Sequence, residues 1–183
     1  MTADPLWGID LGGTKIEILV LDSGSNEVMC RQRIDTETEQ GRSHILDRIK
    51  KLVHATSKKL DRRPDRIGIA TPGTLDPVTG LLKNSNTVCL NNTPLKRDIE
   101  KLLQVPVVLA NDANCFALAE TQLGIIQDEC PHAEVVFGII LGTGVGGGVV
   151  VDGKVIGGIH GIGGEWGHMQ LDPHGEACYC GDI

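Results

Sequence analysis

The chain has 183 residues, 40% hydrophobic and 22% charged, a composition that excludes a disordered polymer and leaves room for one large core or two small ones. The formal net charge is −7, with acidic and basic residues mixed along the chain, which argues against a nucleic-acid partner because such a surface needs a basic patch. Met1 to Trp7 has no basic lead into an apolar run, and no apolar run approaches the ~18 residues of a membrane span; the expectation is a cytoplasmic protein with no membrane partner. Six cysteines in that compartment suggest thiols or metal ligands before disulfides, and Cys30, Cys89, Cys115 and Cys130 are scattered and read as inert.

Residues 8–22, GIDLGGTKIEILVLD, read as a strand, a glycine turn and a second strand. Asn26 to Ile34 reads as a third strand beyond the Ser23-Gly24-Ser25 turn, so the sheet opens as an antiparallel meander. From Ser43 the period changes. Ile45, Leu46, Ile49, Leu52, Val53 and Leu60 recur near 3.6 with Lys and Arg on the other face, which predicts an amphipathic helix with Ser43 as its N-cap. Arg66 to Ala70 predicts a short buried strand stopped by Thr71-Pro72-Gly73, and a glycine turn at a strand end is where ligands collect. Residues 74–93 read as loop-rich, with a turn at Asp76-Pro77 and an amide cluster, Asn84, Asn86, Asn91 and Asn92, most of which read as polar loop residues capping turns. Thr93-Pro94 has the form of an N-cap followed by proline at the first helical position, the helix running to about Leu103. Val105 to Ala110 predicts the next strand, and Asn111-Asp112-Ala113-Asn114 hands it to a helix ending near Gly124. Asp112 carries two readings. It is a helix cap, or it is a carboxylate at the carboxyl end of a buried strand, facing a ligand crevice; the two are compatible if Asn111 or water serves the cap.

Residues 138–152, GIILGTGVGGGVVVD, then repeat residues 8–22 without a gap: Gly8, Ile9, Leu11, Gly12, Val20 and Asp22 fall on Gly138, Ile139, Leu141, Gly142, Val150 and Asp152. Glycine in such a turn supplies positive φ or lets backbone N–H groups come close to a ligand. Two such turns suggest two clamps closing on one anion, whereas two ordinary tight hairpins account for either alone. Gly142-x-Gly144-x-x-Gly147 matches a dinucleotide-binding string, but that turn must open a helix and meet an acidic residue about 20 positions on. Here it runs into Val149-Val150-Val151 and an Asp152-Gly153 hairpin signal. Neither copy has the GxxxxGK[ST] spacing of a Walker loop.

The element order matches the actin-like ATPase fold, and the motifs resemble those of the ROK family of sugar kinases and sugar-responsive repressors over residues 6–183. They are Asp10-Leu11-Gly12-Gly13-Thr14-Lys15, Thr71-Pro72-Gly73, Asn111-Asp112-Ala113-Asn114, Leu141 to Gly148, Glu165-Trp166-Gly167-His168 and Cys178-Tyr179-Cys180-Gly181. The resemblance implies an α/β, duplicated actin-like (ribonuclease H-like) fold, with residues 1–124 as the N-terminal lobe and 125–183 as the start of the second. It implies a hexose kinase using Mg-ATP, with Asp112 as general base, Asn111, Glu165, His168 and Gly73 at the sugar, and Asp10 holding magnesium through water. Gly12, Gly13, Thr14 and Lys15 would meet the terminal phosphates from one side, and Gly142, Thr143, Gly144 and Gly146 from the other. Lys83-Asn84-Ser85-Asn86-Thr87 and Glu165-Trp166 resemble the family's fructokinases, giving fructose or glucose as the expected hexose; the Asn111 to Ala119 and Leu141 to Gly148 segments equally resemble its N-acetylglucosamine kinases, and an N-acetylglucosamine or N-acetylmannosamine kinase is the alternative. A ROK repressor would need a helix-turn-helix ahead of the first strand, and none is expected in the residues before it. A non-catalytic sugar-binding module is disfavoured by Asp10 and Asp112, since a binder needs neither a magnesium ligand nor a base. A homodimer is expected of the full-length protein.

The family also uses the histidine of its Glu-x-Gly-His motif with Cys-x-Cys-Gly and a further cysteine to hold a structural zinc. Here His168, Cys178 and Cys180 stand at those positions and the sequence stops at Gly181-Asp182-Ile183. The third cysteine and the sugar-binding glutamate that follows it in the family are absent from these residues, so water or His174 completes the shell or the site stays empty. The function is therefore expected of the intact protein rather than of these residues alone. Closed structural zinc sites take four ligands. Elemental analysis is expected to find less than one zinc per chain in residues 1–183 and one in the full-length protein; full occupancy in the short chain would show that the third cysteine is dispensable.

Overall fold

The computed structural model describes residues 4–142, 144–167, 169, 170 and 172–175. Three strands, β1 (Leu6–Leu11), β2 (Lys15–Leu21) and β3 (Val28–Asp35), form an antiparallel meander, and β4 (Ile67–Thr71) and β7 (Val107–Asn111) add to it in parallel, giving the order β3-β2-β1-β4-β7. Between β4 and β7 lie a small hairpin, β5 (Thr74–Leu75) with β6 (Leu82–Lys83), and α2 (Leu95–Leu103). α1 (Gly41–Leu60) links β3 to β4. Alternation sets the buried face of the sheet: Trp7, Ile9 and Leu11 on β1 and Ile16, Ile18 and Val20 on β2 are at most 5% exposed. α1 contributes Ile45, Ile49, Leu52 and Val53 to the same cluster and α2 contributes Leu95 and Ile99, each fully buried aliphatic side chain stabilising by about 1.5–3 kcal/mol.

The expected elements are present, with local differences. β3 starts at Val28 because Asn26, with φ 58°, and Glu27 belong to the turn, where Asp22 N bonds Glu27 O and Asn26 N bonds Asp22 O. α1 starts at Gly41 without a side-chain cap; a 3-10 turn, Thr38–Gln40, runs straight into it, so Ser43 lies inside the helix and is not its cap. Thr93 does not cap α2 either: its hydroxyl donates to Leu90 O at 2.6 Å, and Pro94 takes the cap position itself. Three of the four amides hold turns. Asn84 and Asn92 take φ near +57° (56° and 58°), and Asn91 bonds both the N–H and the C=O of Ser85.

After β7 the chain leaves the first sheet as α3 (Asp112–Gln122), followed by the short α4 (Ile125–Glu129) and a second antiparallel sheet, β8 (Val135–Leu141), β9 (Val145–Val151) and β10 (Lys154–Val155), in the order β10-β9-β8. Asp152 and Gly153 both take positive φ, 48° and 71°, as the two central residues of a tight primed hairpin do. α3 lies against β8 and β9, with Ala117, Val136 and Val150 as a small second core. Glycine makes that approach possible. A Cβ at Gly148 would lie 2.6 Å from Ala113 O and 2.9 Å from Asn114 Cα, and one at Gly138 would lie 2.8 Å from Ala117 Cβ.

The two halves of the sequence echo do not superpose residue for residue. In the first hairpin the last pair is Leu11↔Ile16, enclosing residues 12–15; in the second it is Leu141↔Val145, enclosing 142–144. The second turn closes one residue sooner, so β9 is displaced by one against its counterpart β2, and a one-residue displacement moves side chains to the opposite face. Val150 therefore packs on α3, whereas Val20 lies in the first core. The β8 residues that correspond to buried Trp7, Ile9 and Leu11 are Phe137, Ile139 and Leu141, and these are exposed among the described residues.

Gly148→Ala is expected to lower stability by about 1–3 kcal/mol, the usual cost of overpacking, and the midpoint of urea unfolding measures it. Gly142→Ala, with open space at its Cβ position, should leave that midpoint unchanged.

Candidate active site

β1, β4 and β7 are parallel and in register, Asp10↔Ala70 and Ala70↔Ala110, so their carboxyl ends line up along one edge. That edge carries Asp10 to Thr14, Thr71 to Gly73, and Asn111-Asp112. Ligands of open α/β sheets collect at such an edge.

At the end of β7 the cap is Asn111 and not Asp112, which stands at the first helical position. Asn111 is the cap of α3, its Oδ1 accepting from Asn114 N at 3.0 Å. Its Nδ2 donates to Asp112 Oδ1 at 3.2 Å and to Gly73 O at 3.4 Å, so one lone pair of Oδ1 is left for a ligand hydroxyl. Asp112 Oδ1 also accepts from Ala113 N at 2.9 Å, while Oδ2 accepts nothing among the described residues. Burial pushes the Asp112 carboxyl above its ordinary range, the nearby Glu165 carboxylate adds to the rise, and the Ala113 N–H acts against it. Asp10 is also raised, first by burial, then by Asp112 and Glu17, with Arg33 opposing. The charge of Asp112 thus bears on Asp10, and that of Glu165 on Asp112.

Gly73 has no alternative residue. Its φ is +93°, and a Cβ would run into the backbone of Lys83 to Ser85, with Ser85 N at 2.9 Å. The first glycine turn is held from behind: Gly12 N bonds Lys15 O at 3.0 Å, the Thr36 hydroxyl donates to Gly12 O at 2.7 Å and Thr36 N to Thr14 O at 2.8 Å. The N–H groups of Gly13 and Thr14 have no acceptor among the described residues. Neither Gly12, Gly13 nor Gly142 takes positive φ, so left-handed backbone is not what requires glycine there; a Cβ at Gly142 or Gly144 would meet nothing within 4 Å among the described residues. Gly146 is placed differently. It lies within β9, where a Cβ would be 3.5 Å from Ala113 Cβ and 3.7 Å from the Glu165 carboxylate oxygens.

Glu165 is positioned by the loop it sits in. Residues 163–167 run along β9 beyond its short pairing with β10, since a Cβ at Gly164 would meet Val149 N and the backbone of Gly148, while one at Gly147 would meet Trp166. Alternate loop residues fall on alternate faces of the strand: Glu165 reaches the face of Gly146 and Ala113, and Trp166 packs edge-on against Phe137 on the other, with ring centroids 6.1 Å apart.

Thr143, His168, Cys178 and Cys180 lie outside the described residues, and among the described residues no group of three or more His, Cys, Asp or Glu is arranged to hold a metal. Three supports were not evident in the sequence. Thr36 and Thr87 underpin the first turn, Thr87 Oγ1 lying 3.5 Å from where a Gly13 Cβ would be; Asn114 Nδ2 ties α3 to Gly161 O at 3.2 Å; and Arg31 and Arg33 hold Glu17. Each depends on a contact far along the chain, and no local spacing signals it.

Comparison with known proteins agrees with this arrangement. The ROK family pattern matches residues 6–183. An N-acetyl-D-glucosamine kinase of Pasteurella multocida is 36% identical over 176 residues, covering 96% of this chain and 56% of the relative. Among solved structures, a ROK hexokinase from Thermus thermophilus is 36% identical with a TM-score of 0.78, covering 98% of this chain and 57% of that one. A ROK family glucokinase from Streptomyces griseus, in complex with glucose and AMPPNP, is 30% identical with a TM-score of 0.84, covering 98% and 55%. The chain spans about half the length of the relatives it matches. No helix of the described residues is long and apolar enough to cross a membrane. With the parallel strand ends, the two glycine turns and the Asn111-Asp112 junction in the family's order, the chain belongs to the ROK family and has its actin-like ATPase fold.

Proposed function

We propose that the complete protein is a sugar kinase that transfers the γ-phosphoryl group of Mg-ATP to the 6-hydroxyl of a hexose, the two lobes, 1–124 and 125 onward, closing on the nucleotide from either side. The observation that carries this reading is Asp112: a carboxylate pushed up by burial, fixed through Oδ1, with Oδ2 unpartnered among the described residues, at the carboxyl end of a parallel strand beside Asp10 and Glu165. Phosphoryl transfer needs positioning and charge neutralisation more than covalent help. Asp112 accepts the proton of the attacking hydroxyl, a raised carboxyl being the better general base. Asn111 orients Asp112 and accepts from a neighbouring sugar hydroxyl with its remaining lone pair. The Gly13 and Thr14 N–H groups, with Lys15, take the terminal phosphate oxygens, and the open Gly142 to Gly144 turn meets the nucleotide from the second lobe. An all-oxygen donor set of Asp10 and water suits magnesium, which keeps most of its hydration shell; when bound, the ion neutralises charge on the transferred phosphate. His168, Cys178 and Cys180 remain the proposed zinc ligands, and Glu165 and His168 the further sugar contacts.

For the sugar itself we infer N-acetylglucosamine ahead of glucose or fructose. The curated relatives bear that substrate in their names, and the fructokinase-like run at 83–87 is occupied with scaffolding here. Lys83 pairs with Asp76 at 3.1 Å, Asn84 takes positive φ, and Ser85 and Thr87 build the turn under Gly13.

One coupled ADP assay on the complete protein tests both statements. N-acetylglucosamine should give the highest kcat/KM in a panel with N-acetylmannosamine, glucose and fructose. Asp112→Asn should lower kcat by about 100-fold or more with little change in sugar affinity. A near-normal kcat in Asp112→Asn removes the base assignment, and a preference for fructose removes the substrate assignment alone.

A further inference from the structure

A row of charge crosses the first sheet on the face turned away from its core. Asp10 on β1 pairs directly with Glu17 on β2, and Glu17 pairs directly with Arg33 on β3; direct cross-strand partners project from the same face. Packing does not require an acid at position 17, because Ile16 and Ile18 fill the core from the opposite face. A carboxylate directly opposite another is an unfavourable pair, and here the other is Asp10, at the end of the strand that leads into the phosphate turn.

Both oxygens of Glu17 are occupied. Arg31 Nε donates to Oε1 at 2.7 Å, Arg33 Nε donates to Oε2, and the terminal nitrogens of both guanidiniums pair with the same oxygens. Arg33 is two strands from Asp10, roughly 10 Å between Cα atoms at the usual strand spacing, a gap that one extended guanidinium side chain and one carboxylate span. Its charge already reaches Asp10 from where Glu17 holds it. An arginine released from Glu17 has two carboxylates on that face without a salt bridge among the described residues, Asp35 on its own strand and Asp10 across β2, and the planar guanidinium pairs strongly with carboxylate oxygens; Asp10 is the one that draws Arg33 toward the cleft.

We propose that Glu17 is a positioning residue: by holding Arg31 and Arg33 toward the outer strands, it keeps both guanidiniums off Asp10 and leaves that carboxylate free for the hydrated divalent cation. The proposal rests on the kinase reading of the cleft, through the role given to Asp10. It differs from a structural role for Glu17 in one respect, because the harm done by losing Glu17 comes from Arg33 and disappears when Arg33 is also removed.

The test uses the complete protein with Mn²⁺ in place of Mg²⁺ and a non-hydrolysable ATP analogue, bound metal being followed by electron paramagnetic resonance against the analogue alone. Glu17→Gln should raise the Mn²⁺ concentration at half-saturation about tenfold, the effect of one charge-assisted hydrogen bond competing for the site. The Mg²⁺ activation constant should rise in parallel while kcat at saturating metal changes little. Adding Arg33→Met to Glu17→Gln should bring half-saturation back to within about twofold of the parent, a non-additivity expected only of coupled residues. Glu17→Gln binding Mn²⁺ as the parent does, or the double variant binding as weakly as Glu17→Gln, overturns the proposal. Asp10→Asn separates the two levels. If it abolishes metal binding while Glu17→Gln has no effect, only the Glu17 assignment falls; if it binds metal normally, the role of Asp10, and with it this proposal, falls.

Discussion

The first turn of α3 is the part that both sheets share. It begins at the end of β7, so the first sheet fixes where Asn111 and Asp112 stand. It then lies so close to β9 that only glycine fits opposite it, at Gly148, with Gly138 doing the same opposite Ala117. This close approach joins the halves of the site. It sets Gly146 and, through the loop along β9, Glu165 beside the turn that carries Asp112. A larger residue at 148 would separate the glycine turn of the second sheet from the carboxylate of the first, and the cleft would have two walls without a fixed distance between them.

The electrostatics follow from the same geometry. Aligning the carboxyl ends of parallel strands gathers backbone ends and short acidic side chains in one place, and desolvation then raises Asp10 and Asp112. Two carboxyls gathered in one cleft repel one another, and any anion, if nothing intervenes. The protein's response is distributed: N–H groups at Gly13 and Thr14 that meet no acceptor among the described residues, Lys15 beside them, and a sheet edge on which Glu17 holds Arg31 and Arg33. The residues that handle charge are therefore spread over β1, β2, β3 and α3, although the chemistry is assigned to one of them.

Much of this was legible in the sequence because it is carried by local rules. Period-2 and period-3.6 patterns located the strands and helices of the first lobe, and the position of Asn111-Asp112 between a strand and a helix already suggested a shared cap and carboxylate. The gapless echo of residues 8–22 at 138–152 correctly marked two glycine hairpins, but its register was misleading. Sequence identity at Val20 and Val150 hid a turn closing one residue sooner, which only the pairing of backbone groups reveals. The glycine run after Leu141 likewise reads as one motif and is two: Gly142 and Gly144 have open space at their Cβ positions, whereas Gly147 and Gly148 make room for Trp166 and α3. Helix starts failed where a competing partner took the capping group, as Leu90 O takes the Thr93 hydroxyl. Thr36, Thr87 and Asn114 were not legible because their partners are set by tertiary approach rather than spacing.

The central claim is that Asp112 Oδ2 is the open oxygen toward which the attacking hydroxyl is aimed. A crystal structure of the complete protein with N-acetylglucosamine and a non-hydrolysable ATP analogue tests it most directly. The account predicts Asp112 Oδ2 within about 2.6–3.2 Å of the sugar 6-hydroxyl, with that hydroxyl facing the γ-phosphate. A complex in which the hydroxyl nearest the γ-phosphate is held instead by Glu165 or Asp10, with Asp112 turned into the α3 cap, would contradict it.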